Sequence, residues 1–297
     1  MNNATNNDEV SKNPPLEGRE ALYVIKIGGN IIDDEAKLSS FLQSFASIEG
    51  KKILVHGGGK LATRIAEAMG IQQQMIEGRR VTDAETLKVV TMVYAGFINK
   101  NIVAQLQAND CNAIGLTGAD GNVIQAHKRG GFKAPSPIGE GVGGEVDYGF
   151  VGDVDTVNAG LINSLLQQGI AVVLAPITHN KEGQLLNTNA DTIAQETAKA
   201  MSALYNTELI YSFEKAGVLL DANDDSTVVP TLTKAYYEEL KNPPLEGGEA
   251  RIFAGMIPKL DNAFAAISSG VSKVIIGKAE QLHQLINGSA GTAIINQ

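Results

Sequence analysis

The stretch Leu22-Tyr-Val-Ile-Lys-Ile-Gly-Gly29 joins a short apolar run, interrupted by one lysine, to two adjacent glycines. The run predicts a buried strand, and Gly28-Gly29 predicts a tight turn into a helix that begins near Asp33. Backbone N–H groups in such a turn lie beside a helix N-terminus, which suits phosphate, and Lys26 at the strand end is within reach of the same group. The stretch alone also fits an ordinary strand-to-helix turn whose lysine extends into solvent.

A second unit of the same kind follows within thirty residues. Residues 52–56 predict a strand, Gly57-Gly58-Gly59 a glycine turn, and residues 60–69 a helix. Two such units in succession predict a parallel sheet with right-handed crossovers. Strand and helix patterns alternate along the rest of the chain, so the predicted fold class is α/β.

Composition narrows the possible partners and compartments. The chain has 297 residues, 43% of them hydrophobic, which is enough for one large core or two adjoining ones. Its net charge of -9 argues against nucleic acid or an anionic membrane as a partner, although glycine loops and lysines can still bind phosphorylated ligands. The single cysteine, Cys111, excludes an internal disulfide, argues against a cysteine zinc site and favours the reducing cytoplasm. The apolar runs are too short to span a bilayer, and the polar N-terminus does not resemble a signal peptide.

Three further segments give structural predictions. Asp83 is predicted to cap a long helix that runs to about Asn109, and its broad apolar surface suits either a subunit interface or an internal helix. Residues 1–20 predict a mobile N-terminal tail. The heptapeptide KNPPLEG at 12–18 recurs identically at 241–247, and its proline pair predicts exposed turns; no function accounts for the repeat.

Several motifs limit the chemistry without deciding it. The chain contains neither the dinucleotide fingerprint G-x-G-x-x-G after its first two strands nor a G-x-x-x-x-G-K-[ST] P-loop. Asn187-Thr-Asn-Ala-Asp191 either caps a helix or supplies a carboxylate that orients lysines or helps to hold a metal. Gly255-Met-Ile-Pro-Lys259 similarly starts a helix, with a lysine that is either functional or merely exposed. The four histidines lack metal-ligand spacing and are interpreted as structural or solvent-facing.

Eight separated motifs, spread over residues 22–296, resemble the amino acid kinase family and, within it, the kinases of N-acylated glutamate. They are Lys26-Ile-Gly-Gly, Val55-His-Gly-Gly-Gly59, Gly78-Arg-Arg-Val-Thr82, Ala95-Gly-Phe-Ile-Asn-Lys100, Asp147-Tyr-Gly-Phe-Val-Gly152, Asn187-Thr-Asn-Ala-Asp191, Gly217-Val-Leu219 and Gly255-Met-Ile-Pro-Lys259. The resemblance implies a three-layer αβα sandwich with a mainly parallel, roughly eight-stranded sheet. It also implies an acylglutamate-binding lobe with the dimer interface in residues 21–180 and a nucleotide-binding lobe in residues 181–297.

The resemblance further implies a reaction and a set of site residues. The reaction is ATP-dependent phosphorylation of the γ-carboxylate of N-acetylglutamate, in arginine biosynthesis, with Mg²⁺ carried on the ATP phosphates. Lys26 and Lys259 would stabilise the transferring phosphoryl group, and Asp191 would orient them. The remaining implied contacts are Gly28, Gly29 and Gly58 for phosphates and acceptor, Gly59, Arg80, Asn187 and Asn189 for the acylglutamate, and Ser212, Glu214, Lys215, Gly217, Leu219, Arg251 and Phe253 for the nucleotide.

Departures from the family pattern leave alternatives open. The nucleotide loop 211–217 is longer than in many relatives, and Met75 stands where some carry a lysine. The unusual loop 129–144 keeps N-succinylglutamate as an alternative acceptor. Because residues 1–20 show no apolar helical stripe, we expect an arginine-insensitive homodimer paired through the helix 83–109. A non-catalytic module that binds acylglutamate or nucleotide is the alternative from another functional class.

Overall fold

The computed structural model describes residues 18–76, 79–130, 132–133, 145–221, 223–241 and 256–296. The α-helices in these ranges are α1 (Gly29–Ile32), α2 (Glu35–Ala46), α3 (Gly59–Ala68), α4 (Ala84–Val90), α5 (Asn99–Ala108), α6 (Ala159–Gln167), α7 (Ala190–Met201), α8 (Lys234–Lys241), α9 (Ile257–Ser268) and α10 (Leu282–Ile286). The strands are β1 (Ala21–Ile27), β2 (Lys51–His56), β3 (Met75–Ile76), β4 (Arg79–Arg80), β5 (Ala113–Leu116), β6 (Ile124–Lys128), β7 (Phe132–Lys133), β8 (Glu145–Val146), β9 (Gly152–Val157), β10 (Ala171–Leu174), β11 (Ile177–His179), β12 (Leu185–Asn187), β13 (Asn206–Phe213), β14 (Thr231–Leu232), β15 (Lys273–Lys278) and β16 (Thr292–Ile294).

Strand β1 lies near the middle of the central sheet. The order is β14-β16-β15-β13-β1-β2-β10-β5, and the strands from β15 to β5 are all parallel. Only β16 and its partner β14 run against the others, at one edge. The carboxyl ends of β13, β1 and β2 are therefore neighbours, and ligands bind at that end of a parallel sheet. The predicted eight-stranded, mainly parallel sheet is confirmed.

The two faces of β1 belong to two different layers of the core. Leu22 and Val24 pack in one buried cluster with residues of α6, α7 and α9, whereas Ile25 and Ile27 pack in the other with residues of α2, α5 and α10. Helices thus cover both faces of the sheet, and the predicted three-layer sandwich is confirmed. Because side chains alternate along a strand, Lys26 lies on the same face as Val24 and points toward α7.

The long helix predicted over residues 83–109 is also confirmed, with one irregularity. Asp83 caps α4, and eight residues in the π-helical conformation, Thr91–Ile98, connect α4 to α5 without a break. Such wider π-helical turns occur frequently at functional sites. This segment packs against the glycine turn before α3, since a Cβ atom on Gly58 would overlap the side chain of Ile98.

Other sequence predictions need correction. The strand predicted over 170–177 is two strands separated by Pro176: β10 in the central sheet, and β11 in a second sheet of order β12-β11-β6-β9. That second sheet was not predicted, because β6 and β9 carry polar side chains and border glycine-rich segments. The helix predicted from Asn187 begins at Ala190, since residues 185–187 form β12. The first KNPPLEG copy, apart from its final Gly18, and the second, apart from its initial Lys241, lie outside the described residues, as do residues 1–17 of the predicted tail.

Within the described ranges, every helix is too short or too polar to cross a bilayer.

Replacing Asp83 with alanine tests the cap of the long helix. The Asp83 carboxylate accepts the Thr86 N–H at 2.7 Å. We expect Asp83→Ala to lower the free energy of unfolding by about 1 kcal/mol, because that is the usual cost of losing an N-cap. Asp83→Asn keeps an acceptor at the same place and is the matched control in urea unfolding. An equal loss in both variants would contradict this role.

Candidate active site

Two lysines and one aspartate from three separate elements meet beyond the carboxyl end of β1. Lys26 comes from β1, Asp191 from the first turn of α7 and Lys259 from the first turn of α9. The Lys26 Nζ lies 2.7 Å from Asp191 Oδ1, and the Lys259 Nζ lies 3.3 Å from Asp191 Oδ2. Each carboxylate oxygen therefore holds one ammonium group, and the structure brings the three predicted residues together.

The two lysines stabilise the negative charge of Asp191. Burial alone would raise the pKa of the Asp191 carboxyl, but the charges of Lys26 and Lys259 outweigh it and hold that pKa below its ordinary value. The N-terminus of α7 also favours a negative charge in its first turn. Lys259 lies 5.1 Å above the ring of Phe213, and the Lys26 side chain is only 13% exposed. The site thus presents two cations with one anion between them.

A cavity of about 420 Å³ opens on one side of the two lysines. Its lining combines the turn after β1, the segment after β13 and the start of α9. The residues are Lys26, Gly28, Gly29, Asn30, Ile31, Lys60, Phe213, Glu214, Lys215, Gly217, Leu219, Met256 and Lys259. Six of the nine residues predicted for phosphate or nucleotide contacts line it, namely Gly28, Gly29, Glu214, Lys215, Gly217 and Leu219.

The other three predicted residues differ in position. Ser212 is fully buried and lines neither this cavity nor the second one described below, so its contact with a nucleotide stays a prediction. Its carbonyl instead accepts the Gly28 N–H at 3.2 Å, which removes that N–H from the phosphate donors expected in the turn. Arg251 and Phe253 lie outside the described residues.

A second cavity, of about 200 Å³, lies beside the glycine turn before α3. All five residues predicted for the acceptor line it: Gly58, Gly59, Arg80, Asn187 and Asn189. The Arg80 side chain is held in place, because one terminal nitrogen donates to the Gly59 carbonyl at 2.9 Å and to Thr63 Oγ1 at 2.8 Å. The other terminal nitrogen donates to Gln73. A guanidinium has five N–H donors, so further donors remain for a carboxylate in the cavity.

The two asparagines of the segment before α7 have different roles. Asn189 caps α7, since its side-chain oxygen accepts the N–H groups of Asp191 and Thr192 at 2.8 and 3.1 Å. Asn187 ends β12, and its side-chain amide donates to Thr82 Oγ1 at 3.0 Å. The capping interpretation of this motif therefore holds for Asn189, and the same cap fixes the helix turn that carries Asp191.

Two cations at the site were not predicted. Lys60 lines the first cavity and donates to Asn30. Arg129 lines the second cavity, pairs with Asp153 and lies over the ring of Tyr148. Lys60 directly follows the triple glycine, a position from which a phosphate contact is readily inferred. Arg129 begins the loop 129–144, which the sequence connects with the choice of acceptor, but no motif there marks Arg129 itself.

The arrangement suits transfer of a phosphoryl group between ligands held in the two cavities. Such a transfer needs in-line positioning and positive charge on the moving group more than covalent chemistry. Lys26 and Lys259 supply the charge, and glycine turns border both cavities. No group of three or more carboxylate, histidine or cysteine side chains suitable for a metal occurs among the described residues.

The sequence profile of the amino acid kinase family matches residues 21–278. The acetylglutamate kinase of Phocaeicola vulgatus is 52% identical over 276 residues, covering 93% of this chain and 99% of the relative. That of Cytophaga hutchinsonii is 53% identical over 278 residues, with 93% and 99% covered.

Two solved structures share the fold at lower identity. The N-acetylglutamate synthase of Neisseria gonorrhoeae, complexed with coenzyme A and N-acetyl-glutamate, has a TM-score of 0.72 at 20% identity over 94% of this chain. This chain spans only 60% of that synthase. The carbamate kinase of Giardia lamblia, bound to AMP-PNP, has a TM-score of 0.60 at 14% identity and covers 94% of this chain and 99% of its own.

The charge of Asp191 predicts an acid-sensitive contribution to stability. Because its pKa lies below the ordinary 3.8 in the folded state, the unfolded chain binds a proton first as the pH falls. The contribution is therefore complete above about pH 5 and is lost as the pH falls through the lowered pKa. We expect Asp191→Asn to lower the free energy of unfolding at neutral pH, by an amount that shrinks toward about pH 3.

Urea unfolding of both proteins at several pH values measures this difference. Glu67→Gln, which neutralises an exposed carboxylate elsewhere, is the control. A difference between wild type and Asp191→Asn that stays constant across the acid range would contradict the lowered pKa.

Proposed function

The chain belongs to the amino acid kinase family, and we propose that it transfers the γ-phosphoryl group of ATP to the γ-carboxylate of N-acetylglutamate. The resemblance seen in the eight sequence motifs is confirmed at the level of the family. The observation that carries the proposal is the cluster of Lys26, Asp191 and Lys259 beside the two cavities. Relatives at 52–53% identity that bear the name acetylglutamate kinase support this choice of acceptor, and with it a place in arginine biosynthesis.

The nucleotide would occupy the larger cavity. Lys26 and Lys259 then face its terminal phosphates, with Lys60 at the same wall, and the segment 213–219 borders the remainder. Backbone N–H groups of Gly29 and Asn30, in the turn after β1, add donors without a full charge. Because the described residues offer no cluster of metal ligands, Mg²⁺ fits as a companion of ATP, held by phosphate oxygens and water.

The acylglutamate would occupy the smaller cavity. Arg80 suits its α-carboxylate, because a guanidinium binds a carboxylate through two parallel hydrogen bonds. Asn187 and the glycine turn provide further polar contacts. The γ-carboxylate is ionised near neutral pH and attacks phosphorus directly, so the reaction needs no general base. In this scheme residues 21–180 form most of the acceptor lobe and residues 181–297 most of the nucleotide lobe.

The charge balance explains why one carboxylate serves two lysines. Two neighbouring ammonium groups without a counter-charge would repel each other. Asp191 offsets that repulsion and fixes the directions of both side chains. As negative charge moves from the transferring group to the leaving phosphate, the two cations stabilise it from fixed positions.

Arg129 is the observation that keeps N-succinylglutamate as a second candidate acceptor. It adds a second guanidinium to the lining of the smaller cavity. A succinyl group carries one more carboxylate than an acetyl group, and an arginine suits that carboxylate. The pairing of Arg129 with Asp153 already offsets part of its charge, so acetylglutamate remains the proposed acceptor.

Formation of ADP with four acceptors in parallel tests the function. N-acetylglutamate is expected to give the highest kcat/KM, with N-succinylglutamate, glutamate and aspartate as the comparisons. Lys26→Ala and Lys259→Ala are expected to lower kcat by about 100-fold or more with the fold intact, since each removes a charge that acts on the transferring group. A highest rate with N-succinylglutamate would change the acceptor, and no ADP with any acceptor would favour a non-catalytic binding module.

We also propose that the enzyme is a cytoplasmic homodimer paired through the long helix 84–108. Met92 and Phe97 are 54% and 63% exposed on its π-helical turns, although large apolar side chains are usually buried. Gly96, between them in sequence, is exposed and would have open space around a Cβ atom, so another helix can approach closely there. If the same helix of two copies of the chain packs about a two-fold axis, the assembly is a closed dimer.

Mass measurement in solution tests the dimer. We expect about twice the chain mass of 31.3 kDa for the wild type. Phe97→Asp should give the monomer mass, because a carboxylate would be buried without a partner. Leu204→Asp places the same change at an exposed leucine remote from this helix and should leave the mass unchanged. A wild-type monomer or hexamer would overturn the proposal.

A further inference from the structure

His56 is a fully buried histidine at the end of β2, directly before the triple glycine. Its Nδ1 lies 2.8 Å from the Gly57 carbonyl oxygen, and its Nε2 lies 3.2 Å from the Asn99 side-chain nitrogen. Asn99, the first residue of α5, is itself only 1% exposed. Neither residue lines the two cavities, and the function proposed above makes no use of them.

The orientation of the Asn99 amide follows from its neighbours. The Lys100 ammonium, which can only donate, lies 3.0 Å from Asn99 Oδ1. The Val173 carbonyl, which can only accept, lies 3.1 Å from Asn99 Nδ2. The oxygen of the amide must therefore face Lys100, and its nitrogen must face both Val173 and His56.

This orientation also decides the tautomer of His56. Since the Asn99 nitrogen donates, His56 Nε2 must accept, and the ring proton must be on Nδ1. Burial, together with the charge of Lys100, lowers the pKa of His56 to about 4, although the bond to Gly57 acts in the opposite direction, so the ring is neutral at physiological pH. His56 Nδ1–H consequently donates to the Gly57 carbonyl.

The peptide between Gly57 and Gly58 is thereby held in one direction. In a trans peptide the C=O and N–H groups point in opposite directions, so fixing the Gly57 oxygen also fixes the Gly58 N–H. Gly58 lines the smaller cavity. Its backbone φ is 146°, a value that residues with a side chain rarely adopt. Because glycine tolerates many backbone conformations, the hydrogen bond from His56 to the Gly57 carbonyl contributes to fixing the direction of this peptide.

Contacts with β5 restrict the start of α5, where Asn99 lies. Lys100 also donates to the Gly115 carbonyl at 2.7 Å. A Cβ atom on Gly115 would overlap Asn99 Oδ1, so β5 and α5 are in direct contact here. The hydrogen bonds therefore form one continuous series from Lys100 through Asn99 and His56 to Gly57, and we call it the His56 relay.

We propose that His56 is a positioning residue which, held by Asn99 and Lys100, aims the Gly58 N–H at the acceptor and the transferring phosphoryl group. This inference rests on the kinase function proposed above and gives a role to the motif 95–100, which that function does not use. A misdirected glycine peptide would remove one donor from the reacting atoms and leave the nucleotide cavity intact. Misdirecting this peptide should therefore change kcat and the KM for the acceptor, while the KM for ATP stays constant.

Three variants of the full-length chain test the relay. His56→Leu keeps a similar volume but has no donor, and we expect kcat to fall at least about tenfold. His56→Asn places an amide nitrogen close to the former Nδ1 and is expected to recover most of that loss. Lys100→Met changes an exposed residue and removes one of the two contacts that orient the Asn99 amide. It should lower kcat by less than His56→Leu does, because the Val173 carbonyl still holds the Asn99 nitrogen.

Nitrogen NMR of the imidazole rings reports the tautomer of His56, which a loss of stability alone would not change. We expect Nδ1 of His56 to carry the proton in the wild type, and Lys100→Met to shift the ring toward the Nε2-protonated form. A proton on Nε2 of His56 in the wild type would overturn the relay. So would a His56→Leu variant with the wild-type kcat. A His56→Asn variant whose kcat is no higher than that of a folded His56→Leu variant would overturn it as well. Absence of wild-type ADP formation would instead overturn the proposed function, and the positioning role with it.

Discussion

Two ammonium groups of like charge are held together in this protein by a single carboxylate. Lys26 is near the start of the chain and Lys259 near its end, and each would repel the other in the absence of Asp191. The fold satisfies this requirement by placing the carboxyl end of β1 against the first turns of α7 and α9. The parallel order of the central strands matters for the same reason, because it brings the ends of β13, β1 and β2 to one side of the molecule.

The neutral groups of the site depend on equally specific packing. The Gly28 N–H donates to the Ser212 carbonyl of β13, so the donors of that turn available to a ligand start one residue later. In the second glycine turn, the π-helical segment presses against Gly58 while His56 fixes the preceding carbonyl. The charged side chains thus provide electrostatic attraction for a ligand, whereas the glycines and their neighbours set the direction of each backbone dipole.

Much of this arrangement follows from the sequence, and the remainder has identifiable reasons. Strand β1 is predictable because a short apolar run ending in two glycines is typical of a buried strand and a turn, whereas the role proposed for Lys26 comes from the family resemblance and not from this stretch alone. The face on which Lys26 lies is not, since a strand buried on both sides shows no alternation of polar and apolar residues. The burial of Ser212 depends on its backbone pairing with the neighbouring strand, and the position of Arg129 depends on a second sheet whose polar strands resemble loops. Long-range partners such as Asn99 for His56 leave no trace in local periodicity.

The two cavities have no lining residue in common. If the larger one receives the nucleotide and the smaller one the acceptor, neither ligand has to pass through the other's place to reach its own. Either substrate can then bind first, and either product can leave first, in a sequential mechanism through a ternary complex. Among the described residues, the carboxylate at the junction is that of Asp191, and both of its oxygens are paired with lysines. The lone cysteine is buried at the amino-terminal end of β5, opposite the site. In that arrangement, the separate linings of the two cavities bear on the order in which substrates bind as well as on the chemistry.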